Sequence, residues 1–275
     1  MRGRELRTLV LATLAALAFG APSTLAAQCG DSSEGFKSWL EDFKQVAIND
    51  GVSPEVVDNA LAAASFDPSV LAHDHGQGLH ENFASFAARH VTPGRIKRGR
   101  TMLIAYAEPF EKIEQRYGVP APVLVAIWGL ETDFGAGNGT FSTFSALATL
   151  AYNCRRAQIY RAELIDALMI VQRGLLEPEQ MRGAWAGEIG QMQFMPSAYL
   201  KFATTVDGGG GADLIHNSAD ALASTANFLH SHGWTRGAGW DEGEPNFAAL
   251  LEWNAAPVYA KTIALFADKV AGQEQ

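Results

Sequence analysis

Cysteine is almost absent. Cys29 and Cys154 are the only two in 275 residues, which excludes a disulfide-dense miniprotein. No Cys/His cluster has zinc-ligand spacing. The nearest approach, His73-Asp74-His75, reads as polar loop residues. Positive charge is also scarce, with 21 Lys and Arg against 30 Asp and Glu. A net charge of −9 argues against a nucleic-acid partner. Repeats of 20–50 residues and strand-rich stretches are both missing, so solenoids and β-sandwiches are excluded.

What is present begins with a leader. Arg2, Arg4 and Arg7 precede an apolar run from Leu9 to Phe19, and Leu25-Ala26-Ala27 offers a cleavage site. That run is too short to span a bilayer as a stable helix. Residues 1–27 are therefore expected to be a signal peptide, and Gln28, lying ahead of Cys29, departs from a lipoprotein junction. The expectation is an exported, periplasmic protein with no stable membrane anchor. An oxidising compartment and one cysteine pair predict a Cys29–Cys154 disulfide.

Residues 28–275 read as a single lobed domain, all-α or nearly so. Phe36, Trp39, Leu40, Phe43, Val46 and Ala47 recur at helical spacing. Ser53-Pro54-Glu55 starts a second helix with a cap and an N-terminal proline, running to about Ala64. A loop is expected from Ser65 to Gly78, then a short helix from Glu81 to His90. Thr92 caps a longer helix to about Tyr117, bent near Glu108-Pro109. Helices follow over Thr143–Asn153, Arg156–Arg173, Pro196–Ala203, Ser218–His230 and, as one or two, Phe247–Val270.

The chemistry concentrates in two segments. Ala121 to Gly135 is an apolar helix that ends on Glu131, with Trp128 and Phe134 nearby. An acid near a helix C-terminus opposes the macrodipole. With an apolar lining its pKa rises, and it becomes a proton donor near neutral pH. Gly187 to Tyr199, Gly-Glu-Ile-Gly-Gln-Met-Gln-Phe-Met-Pro-Ser-Ala-Tyr, is a Gly- and Gln-rich turn opening another helix. Its amides and tyrosine suit a sugar polymer. Each polar residue also has a plain structural reading: glutamines bond loop backbone, and tryptophans and tyrosines fill cores.

At these motifs the chain resembles the lytic murein transglycosylase B family, of the glycoside hydrolase family 103 type. The resemblance extends through Leu147 to Tyr152, Arg182 to Gly187, Asp220 to Asn227, His232-Gly233-Trp234, Trp253-Asn254 and Tyr259. It implies a lysozyme-like helical fold that cleaves the glycan strands of peptidoglycan. By position it makes Glu131 the catalytic acid/base and puts Gln193, Asn254 and Tyr259 in the sugar-binding cleft. Tyr199 and Gln191 are further candidates for that cleft. No cofactor is expected.

Three departures stand out. Only Thr235 to Asn246 fills the gap where larger members carry an insertion. Ala256 stands where the family often has serine. The loop from Thr205 to Asp213, which in some members binds calcium, offers only Asp207 and Asp213 as carboxylates, and calcium takes six to eight oxygens; no metal is expected.

A hydrolase of this bond needs two carboxylates. Asp133 lies two residues from Glu131 and so points to another face of the helix. Glu188 is a possible second acid. The resemblance implies a route that needs only one, in which the substrate's own C6 hydroxyl attacks C1 and leaves a 1,6-anhydro end. A muramidase using water and a non-catalytic glycan-binding scaffold remain alternatives.

Overall fold

The computed structural model describes residues 29–76 and 82–272. The expected leader lies outside the described residues, as does Glu81. Among the described residues the regular structure is thirteen α-helices, a single 3-10 turn at Pro178–Gln180 and two strands of two residues each, so the all-α expectation holds.

The centre is α7, Ala121–Thr132. Val123 through Trp128 are all buried, and a helix that is apolar all round belongs inside. It packs most extensively on α13, Pro257–Ala271. It also meets α5, Pro93–Ala105, and α11, Ser218–Ser231. The two helices that matter for the site, α7 and α13, are therefore fixed against each other by extensive packing.

A second layer is built on α8, Thr143–Tyr152, buried throughout, and α9, Ala157–Gln172. Against it lie α1, Phe36–Asn49, and α2, Pro54–Leu61. The buried stripe of α1 is Phe36, Trp39, Leu40, Phe43 and Ala47, the helical spacing read in the sequence. Ser53 caps α2 by accepting from the Val56 N–H at 3.3 Å. Cys29 and Cys154 are bonded to each other. That bond ties the first described residue to the end of α8.

Two helices depart from the reading. The expected loop after Ser65 contains α3, Pro68–Gly76. Its buried residues are Val70, Leu71 and Asp74, too few apolar positions for a periodic signal. Tertiary bonds hold it instead. Arg155 and Arg156 both pair with the Asp74 carboxylate, so the His-Asp-His sequence has a buried, paired centre rather than a solvated one. The single helix expected to bend at Glu108-Pro109 is two helices, α5 and α6, Ala107–Tyr117. The break falls at Tyr106. The Pro109 ring would clash with the carbonyl four residues earlier, that of Ala105, and α5 ends there.

The remaining helices frame the cleft. They are α4, Phe83–His90, α10, Pro196–Phe202, and α12, Phe247–Trp253. The strands β1, Phe141–Ser142, and β2, Arg182–Gly183, pair antiparallel with Phe141 opposite Gly183. The compact segment after Trp234 is closed by Asn246, whose side chain accepts from the Thr235 N–H and donates to the Thr235 and Ala238 carbonyls.

The disulfide spans 125 residues of sequence. Long closed loops restrict the unfolded chain most, for roughly 2–5 kcal/mol. Urea unfolding of Cys154→Ser is expected to show a loss of that order. A loss below about 0.5 kcal/mol would mean the N-terminal tether contributes nothing.

Candidate active site

Glu131 sits in the last turn of α7. Beyond it the chain turns sharply through two left-handed residues, Asp133 (φ 54°) and Phe134 (φ 62°). Non-glycine residues enter this region at a cost, and several bonds hold the turn. Thr132 Oγ1 donates to the Gln191 carbonyl at 2.7 Å and accepts from the Gly135 N–H at 3.0 Å. Arg95 and Arg98 on α5 both pair with Asp133. Arg98 also lies over the Phe134 ring.

Two donors meet on one oxygen of Glu131. Trp253 Nε1, from the end of α12, donates to Oε1 at 2.9 Å. Tyr259 Oη, from the first turn of α13, donates to the same oxygen at 2.8 Å. No other donor among the described residues bonds this carboxyl. Burial raises its pKa from 4.5 to about 7. The Trp253 and Tyr259 donors pull it down, and the Glu188 charge adds to the rise. Asp133, two residues on, has the opposite environment. The Arg98 bond holds its carboxyl below the usual range. Adjacent acids are thus set to opposite states, one protonated and one ionised, by what surrounds each. Tyr259 is pushed well above 10, by burial first and then by Glu131, so it stays a neutral donor.

Glu131 opens onto a cavity of about 360 Å³. Glu188, Gln193, Phe228, Trp253 and Asn254 share its wall. The Asn254 amide is fixed by the Ala256 N–H, which donates to Oδ1 at 3.0 Å. The backbone of residue 256 thus positions Asn254 even though the side chain there is only a methyl. Gln193 takes a left-handed conformation (φ 53°), and both ends of its amide bond the surrounding loops. Oε1 accepts from the Ala184 N–H, and Nε2 donates to the Asn138 and Gly190 carbonyls.

Two expected cleft residues are elsewhere. Gln191 is buried, with Oε1 accepting from Trp128 Nε1 and Ser218 Oγ, and Nε2 donating to the Ile215 carbonyl. Tyr199 is 2% exposed and donates to the Ala212 carbonyl at 2.8 Å. Both side chains satisfy inward-facing polar groups, so neither reaches the cavity. The indole bonded to Glu131 is Trp253, not Trp128. The general rule that tryptophans fill cores gives Trp253 no role at the acid. The available signal was its place beside Asn254, on the turn that leads into the Tyr259 helix.

The loop from Thr205 to Asp213 does not form a cation cage. Asp207 is exposed, 3.8 Å from Lys112. Asp213 Oδ1 accepts from the Ile215 and His216 N–H groups. Asp220 accepts from the Val206 and Asp213 N–H groups. Asp213 and Asp220 are thus engaged by amide donors, where calcium would need converging oxygens.

The sequence profile of the Transglycosylase SLT domain family matches residues 35–244. The chain belongs to that family. It is 34% identical over 183 residues to membrane-bound lytic murein transglycosylase B of Escherichia coli (strain K12), a match covering 66% of this chain. The chain spans about half of that relative, 48% of its length. SltB3 from Pseudomonas aeruginosa, solved in complex with NAG-anhNAM-pentapeptide, superposes with a TM-score of 0.81 at 29% identity. That match covers 86% of this chain and 80% of SltB3. The Escherichia coli lytic transglycosylase Slt35, in complex with bulgecin A, superposes with a TM-score of 0.77 at 24% identity, covering 91% and 98%. The Transglycosylase SLT domain fold here is the lysozyme-like, helical one of these structures.

The Glu131 environment has a stability signature. Between about pH 4.5 and about 7 the folded state holds a proton that the unfolded state releases. Stability therefore falls as pH rises through that window, by at most on the order of 3 kcal/mol. Glu131→Gln is expected to be more stable than wild type at pH above 7, with the difference closing below pH 4.5. Urea melts across pH check this. Calcium is expected to leave the melting temperature within about 2 °C of the chelated protein, because the 205–213 loop is already self-satisfied; thermal melts in millimolar calcium and in chelator decide it.

Proposed function

We propose that the chain is a lytic murein transglycosylase. It cleaves the MurNAc-β-1,4-GlcNAc bond of peptidoglycan glycan strands and leaves 1,6-anhydroMurNAc ends. One observation carries this: a carboxyl fixed by two donors on one oxygen, in the wall of a sugar-sized cavity, where burial raises its pKa to about 7. The family membership and the names of the relatives support the substrate class.

The geometry suits one group acting twice. With Oε1 taking both donors, the proton belongs on Oε2. From there Glu131 protonates the glycosidic oxygen as the bond to muramic C1 breaks. The carboxylate left behind is stabilised by Trp253 Nε1 and Tyr259 Oη, which also stop it rotating. It then takes the proton from the C6 hydroxyl as that oxygen attacks C1 and closes the anhydro ring. A pKa near the working pH serves both steps. Asn254, held through Oδ1, presents its Nδ2 donors to an acetamido group or hydroxyl. Gln193 shapes the turn that forms the opposite wall.

The leader fits periplasmic export, where this substrate lies. No helix among the described residues is long and apolar enough to cross a membrane. Glu188, in the same cavity, favours the muramidase alternative to the extent that it could direct water.

Glu131→Gln preserves shape and cannot exchange the proton. Its release of muropeptides from purified sacculi is expected to fall by about 10²–10⁴-fold or more, with glycan binding retained. Wild-type product formed in heavy-oxygen water is expected to carry no label at C1. Label at C1 would make the enzyme a muramidase, and near-normal activity of Glu131→Gln would remove the proposed acid.

A further inference from the structure

Glu188 is a second carboxylate in the cavity that holds the first; on the side of Tyr160, the charges of Arg155, Arg156 and Asp74 lie near it. The residues lining the cavity include no Lys, Arg or His. Glu163 and Glu252 complete the charged lining. Glu163 is occupied as a cap, accepting from Ser197 N and Oγ, and Glu252 is exposed on α12. Arg95 and Arg98, the cations on the adjoining α5, are bound to Asp133.

The position of Glu188 is built rather than incidental. Its Oε2 accepts from the Ala186 N–H at 2.9 Å. Its own backbone packs so closely on Gly183 that a Cβ there would collide with the Glu188 carbonyl. The carboxyl is half-buried, and burial raises its pKa. Placing a charge in such surroundings is costly. Glutamine would accept the same N–H with no charge at all. Stability therefore does not account for an acid here.

Its effect on Glu131 does. Trp253 and Tyr259 both favour the ionised form of Glu131. Among charged groups, Glu188 acts in the other direction. The Ala186 N–H favours the Glu188 anion against the burial that disfavours it, and that charge opposes a second one in the same cavity. We infer that Glu188 is a positioning carboxylate, whose negative charge keeps the acidic proton on Glu131 until substrate arrives. It touches no reacting atom. The inference rests on the reading of Glu131 as the acid.

The test is the pH dependence of kcat/KM for wild type, Glu188→Gln and Glu188→Asp, beside a carbon-13 titration of the Glu131 side chain. Glu188→Gln is expected to move the alkaline limb down by roughly half to one pH unit. Activity slightly above neutral then falls about three- to tenfold, with a smaller loss on the acid side and little change in KM. Glu188→Asp keeps the charge and holds the limb nearer wild type. The Glu131 carboxyl signal is expected to shift its midpoint down by the same amount in Glu188→Gln. A limb and a midpoint both unmoved in folded Glu188→Gln would overturn the inference. If Glu188→Gln does not fold, Glu188→Ala substitutes for it with the same expected shift. If wild type cleaves nothing, the functional reading fails alone, and the carbon-13 titration still decides the role of Glu188.

Discussion

The rest of the site depends on one constraint: a carboxyl held inside the protein at the end of an apolar helix. An ionised Glu131 would be costly there, and the helix macrodipole at a C-terminus adds to the cost. The protein neither removes the charge with a salt bridge nor exposes it. It supplies two neutral donors, Trp253 and Tyr259, on one oxygen. These stabilise the anion enough for it to form and not enough to make it permanent. A nearby arginine would have driven the group to the fate of Asp133, which is ionised and inert as a proton donor.

The donors must be rigid for this balance to hold, and that requirement reaches into the fold. Trp253 ends α12 and Tyr259 begins α13, separated only by the turn that carries Asn254. Glu131 stands on α7, and α13 is the helix against which α7 packs most extensively. Acid and donors therefore sit on opposite sides of one packed seam. The left-handed non-glycine residues among those described, Asp133, Phe134 and Gln193, all adjoin this seam or the facing turn. Strain gathered beside a buried acid is what a preorganised site requires.

Much of this was legible in the sequence. The helices α1, α7, α9 and α11 show in apolar spacing and capping residues, and Glu131 announces itself as an acid where none is favoured. The resemblance brought in Asn254 and Tyr259. What failed did so for identifiable reasons. Helix α3 has no apolar period because Asp74 anchors it through arginines some eighty residues away. Gln191 and Tyr199 share a motif with Gln193, yet their side chains turn inward to Trp128 and Ala212. Alternation within a tight turn is set by its bonds, and those are invisible in composition. Trp253 was missed because an indole in a helix is usually core, and only its N–H, aimed across the seam, distinguishes it.

The cleft's charge gives the last constraint. Four glutamates line it and no cation does, so affinity for a glycan cannot come from attraction to its carboxylates. The proposed affinity would come from amide and hydroxyl hydrogen bonding and from packing on Trp253 and Phe228, which line the cavity. Such contacts are weak singly and demand close fit. An acid poised near neutrality is easily displaced from that state by any nearby charge. On the proposed reading, hydrogen-bonding recognition of the polymer and a cation-free wall are parts of one arrangement: the groups that would meet the glycan leave the Glu131 proton where burial put it.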